Sequence, residues 1–287
     1  MRKFYLFILL VSCTLLQAQT STTTASGTVT TSGTVTTNST VQSKGRYYNS
    51  WRFGINLGGM WQTADVRSTP GFAGGFTLEK AFCENKTNFF SLALKGRGLF
   101  GTTYGLGHSR NYDVKNNPAF NGTYDKKINY DSTSDYVYNN YRAEINEGAL
   151  ELQVCFNRLR ERTNILLNLW GGIGFTSYRV KTNLLDADDK MYNYRLVDSA
   201  GSASSILASH KSLLDRNYES NAKYSDKGNI VTLSPSCGVG LGYRFNDYVS
   251  ILWEYKLTFP QGSYSDYLDG HAISNDDWLG RNKDYYH

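Results

Sequence analysis

The feature that most constrains this chain is an alternation of apolar and polar side chains that persists for many residues at a time. In the stretch WRFGINLGGMW at 51–61, Trp51, Phe53, Ile55 and Leu57 share one parity. Successive side chains of a β-strand point to opposite faces, so one face of this strand is apolar throughout. Seven strands of this kind are predicted, at 51–61, 71–82, 88–104, 145–157, 164–180, 229–245 and 249–259.

The predicted strands are long, and their connections alternate in length. Strands of soluble proteins usually have about 5–6 residues, whereas a tilted strand needs about 9–11 residues to cross a bilayer. Short turns at one end and long loops at the other are typical of outer-membrane barrels. We therefore predict an all-β, antiparallel up-and-down transmembrane β-barrel with its apolar parity toward lipid. The short turns are 83–87, 158–163 and 246–248, and the longer loops are 63–70, 105–144, 181–228 and 260–283.

The opposite parity of these strands is small or polar and carries charges of both signs. A buried charge is costly unless it is paired, so nearly balanced charges predict a closed ion-pair network that fills the lumen. Aromatic residues at the strand ends are expected at the two membrane interfaces. The predicted network comprises Arg52, Glu79, Lys95, Arg97, Glu147, Glu151, Arg244, Glu254 and Lys256, and the predicted interface aromatics are Trp51, Trp61, Trp253 and Phe259.

The N-terminal residues have the form of a secretory signal. Arg2 and Lys3 precede an apolar run at Phe4–Leu16 that is too short to span a membrane as a helix, and cleavage is expected after Ala18. The alternative is a lipoprotein signal in which Cys13 is lipidated. A Ser/Thr-rich tract with two copies of SGTVTT follows and is expected to be a linker. The predicted organisation is a signal peptide at 1–18, a linker at 19–46 and a barrel at 47–287.

This arrangement of signal, linker, long strands, short turns and Tyr-rich loops resembles the small eight-stranded outer-membrane barrels of the OmpA/OmpX type. The Ala-Gln at the end of the signal is similar to that of Bacteroidota outer-membrane proteins. The resemblance implies an eighth strand, which we expect to begin near 283–286 in a sequence truncated at its C-terminus. Alternatively, a short last strand or part of Val41–Asn49 completes the sheet. Some members of such families carry a peptidoglycan-binding domain after the barrel.

No sequence motif indicates a catalytic, cofactor or metal site. The four histidines do not stand at metal-binding or catalytic spacings, and a net charge of +5 is too small and too scattered to predict nucleic-acid binding. The region from 104 to 141 contains seven tyrosines, a composition that favours a binding surface. The four histidines are His108, His210, His271 and His287.

We therefore expect a non-enzymatic membrane anchor in the cell outer membrane. Its expected partners are outer-membrane lipid, lipopolysaccharide, an extracellular ligand and, through a missing domain, peptidoglycan. A narrow pore or transporter is the first alternative. A barrel enzyme that uses rim residues such as His108 or His271 is the second, and a soluble lipocalin-like carrier is the third. The charged inward parity argues against the carrier, since such a lumen should be apolar.

Overall fold

The computed structural model of the chain describes residues 12–18, 51–64, 66–82, 88–112, 136–198, 200–221, 229–246, 248–261 and 285–286. The linker predicted at 19–46 and most of the loop predicted at 260–283 lie outside the described residues. In chain order the strands are β1 (Ser12–Ala18), β2 (Trp51–Met60), β3 (Gln62–Thr63), β4 (Ser68–Thr69), β5 (Gly71–Phe82), β6 (Phe90–Asn111), β7 (Val137–Phe156), β8 (Ile165–Thr182), β9 (Ser220–Asn221), β10 (Asn229–Arg244), β11 (Ser250–Thr258) and β12 (Tyr285–Tyr286).

The seven long strands form an antiparallel meander in the order β2-β5-β6-β7-β8-β10-β11. This confirms the all-β, up-and-down sheet and all seven strands predicted from the alternation. The sheet is curled rather than flat. Strands β6 and β11 are separated by three other strands, yet Lys95 Nζ of β6 lies 3.2 Å from Glu254 Oε1 of β11. The two strands can meet in this way only if the sheet bends into a barrel-like form.

The distribution of side chains is the reverse of that in a soluble protein. In β2 the exposed and buried residues alternate, with Phe53, Ile55 and Leu57 exposed and Arg52 and Asn56 buried. The same alternation continues along β5, β6, β7, β8 and β10. Cross-strand partners share a face, so these residues form a continuous apolar exterior around a polar interior.

Strands β6 and β7 extend well beyond their predicted bounds. The sequence predicted strands at 88–104 and 145–157, whereas β6 reaches Asn111 and β7 begins at Val137. The added residues of β7 include asparagines, which resemble loop residues in the sequence. Asn140 is instead buried and exchanges two hydrogen bonds of 2.8 Å with the backbone of Asn183. A contact 43 residues away in the chain thus stabilises the extra strand residues.

Two predicted connections contain helices. At the turn end of the sheet, where the short connections lie, helix α1 (Asn157–Thr163) replaces the turn predicted at 158–163. It ends at Asn164, whose φ of 57° is left-handed and whose N–H donates to the carbonyl of Arg160. At the opposite, loop end, the long connection contains a 3₁₀ turn at Tyr194–Leu196 and helix α2 (Ala203–Leu213). The Ser202 side chain caps α2 by accepting from the N–H of Ser205.

An eighth strand position lies between β11 and β2, and two short segments occupy it. Strand β1 pairs with β2 and, at two residues, with β11. Strand β12 pairs with Thr258 at the end of β11 and with β3. Strand formation at Tyr285–Tyr286 lies where the short last strand was predicted. The other predicted segment, Val41–Asn49, lies outside the described residues.

Candidate functional site

The charged interior is organised by strand register. Arg52 of β2 pairs with Glu79 of β5, Glu79 with Lys95 of β6, and Lys95 with Glu151 of β7. Directly opposed residues in an antiparallel sheet share a face and lie close together. The four residues therefore form one row of alternating charge across four strands. The first pair is tight, with Arg52 Nη1 2.6 Å from Glu79 Oε1.

Strand β11 supplies the opposite wall of this interior. Glu254 accepts from Arg97 Nη1 at 2.6 Å and from Lys95 Nζ at 3.2 Å. Lys256 Nζ lies 2.7 Å from Glu151 Oε1 and also bonds Glu147. Since each of these residues is largely buried, the ion pairs occupy the middle of the lumen rather than its surface.

The structure brings together eight of the nine residues predicted for the network. They comprise four cations and four carboxylates, so the interior charges balance. Arg244 is placed elsewhere: at the turn end it bonds Glu161 of α1, and its Nη2 donates to Asn164 Oδ1 at 2.9 Å. The sequence assigned Arg244 by parity alone and did not predict the helix that provides its partners. The eight residues are Arg52, Glu79, Lys95, Arg97, Glu147, Glu151, Glu254 and Lys256.

Trp170 of β8 belongs to this interior, although the sequence did not single it out. Its ring lies 3.8 Å from Lys95 Nζ, within range of a cation–π interaction. Strand β10 makes room for the ring with glycine: a Cβ at Gly238 would lie 2.5 Å from Trp170 Cζ2, and one at Gly240 3.1 Å from Trp170 Cζ3. The glycines of β10 therefore provide the space in which the inward-facing ring of Trp170 packs.

A small cavity with both polar and apolar residues in its lining lies at the turn end, beside Arg52 and Glu79 of the network. Its volume is about 40 Å³, which is room for about three water molecules. Gln153 donates to Glu79 through Nε2, while its Oε1 has no partner among the described residues. An amide oxygen in such a cavity suits a bound water. The polar lining includes Arg52, Glu79, Gln153, Asn168, Arg160 and Arg244.

The four predicted interface aromatics lie at different heights on the sheet. Trp51 begins β2 at the turn end, is 50% exposed and has Lys80 Nζ 5.0 Å from its ring. Trp61 and Phe259 follow β2 and β11 at the loop end, and both are partly exposed. Trp253 lies inside β11, opposite Leu241, and is 55% exposed.

A second group of exposed aromatics at the turn end was not predicted as an interface. Phe89 contacts both Phe90 and Phe156 edge-on, with ring centroids 6.5 and 6.1 Å apart. On the far side of the sheet, the rings of Tyr243 and Phe245 are 5.3 Å apart. These residues stand at strand ends, at the same end of the sheet as Trp51. Their position at the ends of the predicted strands was the signal that could have identified them.

The loop end contains an apolar core built from strand ends and the 183–221 connection. Tyr138, Tyr141 and Ile145 of β7 are buried there with residues of the connection, including Tyr194. The expectation of an exposed tyrosine surface is therefore wrong for Tyr138 and Tyr141. Tyr112 does remain exposed, at 60%. Tyr124 and Tyr130 lie outside the described residues.

His210 of α2 is buried in this core. Its Nδ1 lies 3.0 Å from the carbonyl of Gly107, and because a carbonyl only accepts, Nδ1 carries the proton. Nε2 has no partner among the described residues. The rings of Tyr138 and Tyr194 lie 5.3 and 6.0 Å away. Burial lowers the pKa of His210 to about 4, against a smaller opposing effect of the bond to Gly107, so the ring is neutral near pH 7.

The described histidines lie on different elements of the fold. His108 lies on β6 and His210 in α2, while His271 and His287 lie outside the described residues. Within the described part of the chain, His, Cys, Asp and Glu form no group of three that could hold a metal ion. No helix among the described residues is long and apolar enough to span a membrane.

Comparison of the chain with protein-family models, with curated proteins and with solved structures found no match.

Proposed function

We propose that this protein is an integral outer-membrane β-barrel of the OmpA/OmpX type, whose sheet anchors it in lipid and whose loop-end core faces outward. The observation that carries the proposal is the reversed partition of side chains. Four carboxylates and three cations are buried inside, and the Lys256 side chain is 10% exposed beside them. Phe76, Leu152 and Phe175 are among many large apolar residues exposed on the strands. A continuous apolar surface around a molecule raises its free energy in water, whereas contact of the same surface with the lipid of a bilayer is favourable.

The proposed role is non-enzymatic. The interior holds its charged side chains in mutual ion pairs, which compensate buried charge rather than present a charged group to a substrate. The surface available for recognition is the loop end, where Arg110 stacks 4.6 Å from the Tyr136 ring beside the exposed Tyr112. In this proposal the outward surface contacts lipopolysaccharide or an extracellular ligand. The assignment to the OmpA/OmpX type and to Bacteroidota depends on the sequence pattern alone.

The test is a gel of native outer membranes probed with an antibody to the sheet, with samples boiled and unboiled. A folded outer-membrane barrel resists detergent, so we expect the unboiled sample to migrate differently from the boiled one. Extraction of the membranes with alkaline carbonate should leave the protein in the pellet. Recovery in the soluble fraction with a single mobility would overturn the proposal.

A narrow pore is the second candidate, and the charged row through the interior is the observation that favours it. In planar bilayers, a pore predicts conductance that rises when Lys95, Arg97 or Glu254 is neutralised. The anchor predicts bilayers that stay silent for both the native chain and these variants. Glu144→Gln is the matched control, because Glu144 pairs with Arg142 outside the network.

A further inference from the structure

The exterior of β8 changes from apolar to basic toward the loop end. Its outward parity is apolar from Ile165 to Phe175, and Arg179 and Lys181 follow on the same parity. Ten residues of a strand tilted by about 40° rise about 25 Å along the membrane normal, which is the height of the apolar band of an outer-membrane barrel. The two cations begin about 10 Å above Phe175, within reach of lipid headgroups, because long basic side chains extend toward the interface.

Strand register adds a third cation and one carboxylate to this face. Arg142 of β7 lies directly opposite Lys181, and Glu144 lies directly opposite Arg179. Like charges directly opposed in a sheet are destabilising. The carboxylate is bonded to Arg142, whose Nη2 lies 2.9 Å from Glu144 Oε1. Among the described residues, no carboxylate pairs with Arg179 or Lys181, so the four residues carry a net charge of about +2 near neutral pH.

Two carboxylates of the neighbouring 183–221 connection are held by other groups. Glu219 accepts from the N–H groups of Leu184 and Leu185. Asp215 Oδ1 accepts from Asn183 Nδ2 at 2.9 Å. These bonds direct both carboxylates toward the connection itself, so they do not compensate the cations on the outer face of β8.

The Arg179 guanidinium is oriented by one bond and leaves an edge open. Its Nε donates to Asn229 Oδ1 of β10 at 2.9 Å, and its Nη groups have no hydrogen-bond partner among the described residues. Guanidinium N–H groups bind phosphate oxygens in a fixed planar geometry, whereas a lysine acts as a point charge. Lys181 lies two residues further on the same face, about 7 Å along the strand. The pair therefore offers two neighbouring contacts for phosphate.

We propose that Arg179 and Lys181 form a binding site for the phosphates of an outer-leaflet lipid, and that this lipid is the diphosphorylated lipid A of lipopolysaccharide. The inference rests on the proposed function, because that function places the loop end, and so this face, at the outer leaflet. Charge complementarity determines the occupant: lipid A brings phosphate groups to a face with two uncompensated cations, whereas a zwitterionic headgroup leaves that charge uncompensated.

The test measures diphosphoryl lipid A bound to the protein extracted from outer membranes in detergent, by native mass spectrometry over a range of lipid A concentrations. The variant is Arg179→Gln with Lys181→Gln. The matched control is Arg158→Gln with Arg162→Gln, which removes the same charge from exposed residues of α1 at the opposite end of the sheet. Gels of boiled and unboiled samples check that each chain is a folded barrel.

We expect the native chain and the control to bind lipid A with the same affinity, and R179Q/K181Q to bind at least about tenfold more weakly. The exchanged variant R179K/K181R keeps both charges and should retain most of the binding. Neither phosphatidylglycerol nor inorganic pyrophosphate should displace lipid A when present at the same concentration.

Three results would overturn the inference. Equal binding by R179Q/K181Q and the control would show that these cations do not form the site. Displacement by phosphatidylglycerol or pyrophosphate would show that the occupant is any anionic lipid or free phosphate. A chain with the mobility shift on boiling but without bound lipid A would overturn this inference alone, whereas a chain without the shift would overturn the proposed function as well.

Discussion

At the scale of single residues, Glu254 determines how the interior charges are held together. Its two oxygens accept from Lys95 and from Arg97, which come from the other side of the sheet. Without this carboxylate, Glu151 is the one described carboxylate that still forms ion pairs with both cations. Removing one partner from a buried ion pair leaves an uncompensated charge, which costs far more than losing a surface pair.

Glu254→Gln is therefore expected to lower the free energy of unfolding by about 3–5 kcal/mol. Glu144→Gln removes a carboxylate from its pair with Arg142, in which both side chains are 38% exposed. This substitution should change the free energy of unfolding by less than about 0.5 kcal/mol. Urea unfolding in detergent, followed by tryptophan fluorescence, measures both. Equal effects of the two substitutions would show that the interior network is not buried as described.

The glycines of β10 provide a second test at this scale. Gly238→Ala would place a Cβ 2.5 Å from both Trp170 Cζ2 and the Tyr255 carbonyl, so the ring or the backbone must move. Overpacking of this kind typically costs about 1–3 kcal/mol. Gly148→Ala is the control, since a Cβ there meets nothing within 4 Å. Thermal unfolding should separate the two variants, and an unchanged midpoint for G238A would contradict the packing of Trp170 against β10.

At the scale of elements, α2 and the 183–221 connection are attached to the strands by buried polar contacts. Asn140 of β7 pairs with the backbone of Asn183, and His210 donates to Gly107 of β6. Within the connection itself, Glu219 accepts from the N–H groups of Leu184 and Leu185. These bonds lie around an apolar core, so the connection is part of the folded structure. The His210 ring is buried in this core, where burial lowers its pKa and favours the neutral form.

Acid is therefore expected to weaken the attachment of α2. The pKa of His210 is lowered from 6.5 to about 4, so the contribution of the neutral ring is complete above about pH 6.5 and is lost as the pH falls toward 4. When this contribution is fully lost, the free energy of unfolding falls by about 3 kcal/mol. Hydrogen exchange of 203–213 at pH 7 and pH 4.5 measures it, with faster opening expected at the lower pH.

His210→Gln is the control for this experiment. The glutamine amide keeps an N–H for the Gly107 carbonyl but gains no proton in this pH range. Exchange at 203–213, corrected for its intrinsic pH dependence, should then be the same at both values. If the native chain also shows no difference, His210 does not govern the attachment of α2.

At the scale of the whole molecule, the proposed membrane location predicts the effect of a charge on the exterior. Leu152 is 54% exposed on β7, four residues before the strand ends at Phe156, with Leu94 of β6 and Gly171 of β8 opposite it. In a bilayer, an arginine on the lipid-facing side of a strand costs up to about 2–4 kcal/mol at the midplane and less near the interfaces. Leu152→Arg should therefore lower the stability of protein refolded into lipid vesicles, as measured by urea titration.

Arg142→Leu is a useful comparison, because it removes charge from β7 nearer the loop end and should have little effect in vesicles. If Leu152→Arg instead leaves stability unchanged and the protein remains dispersed without lipid or detergent, the apolar exterior does not face a membrane. The same result would also remove the main reason for preferring an outer-membrane anchor to a soluble lipocalin-like carrier.

The sequence by itself determined the seven long strands, their antiparallel order and the charged inward parity. A period of two is a local property of a strand, so residues such as Leu57 and Glu79 are assigned to opposite faces without knowledge of the partners. Tertiary structure decided what depends on distant contacts. It extended β7 through Asn140 and buried Tyr138 and Tyr141, since a second core at the loop end offers them partners. It placed Arg244 beside the C-terminal end of α1 and inserted Trp170 opposite glycines of β10. None of these is a periodic feature, because each depends on which residues meet when the sheet curls.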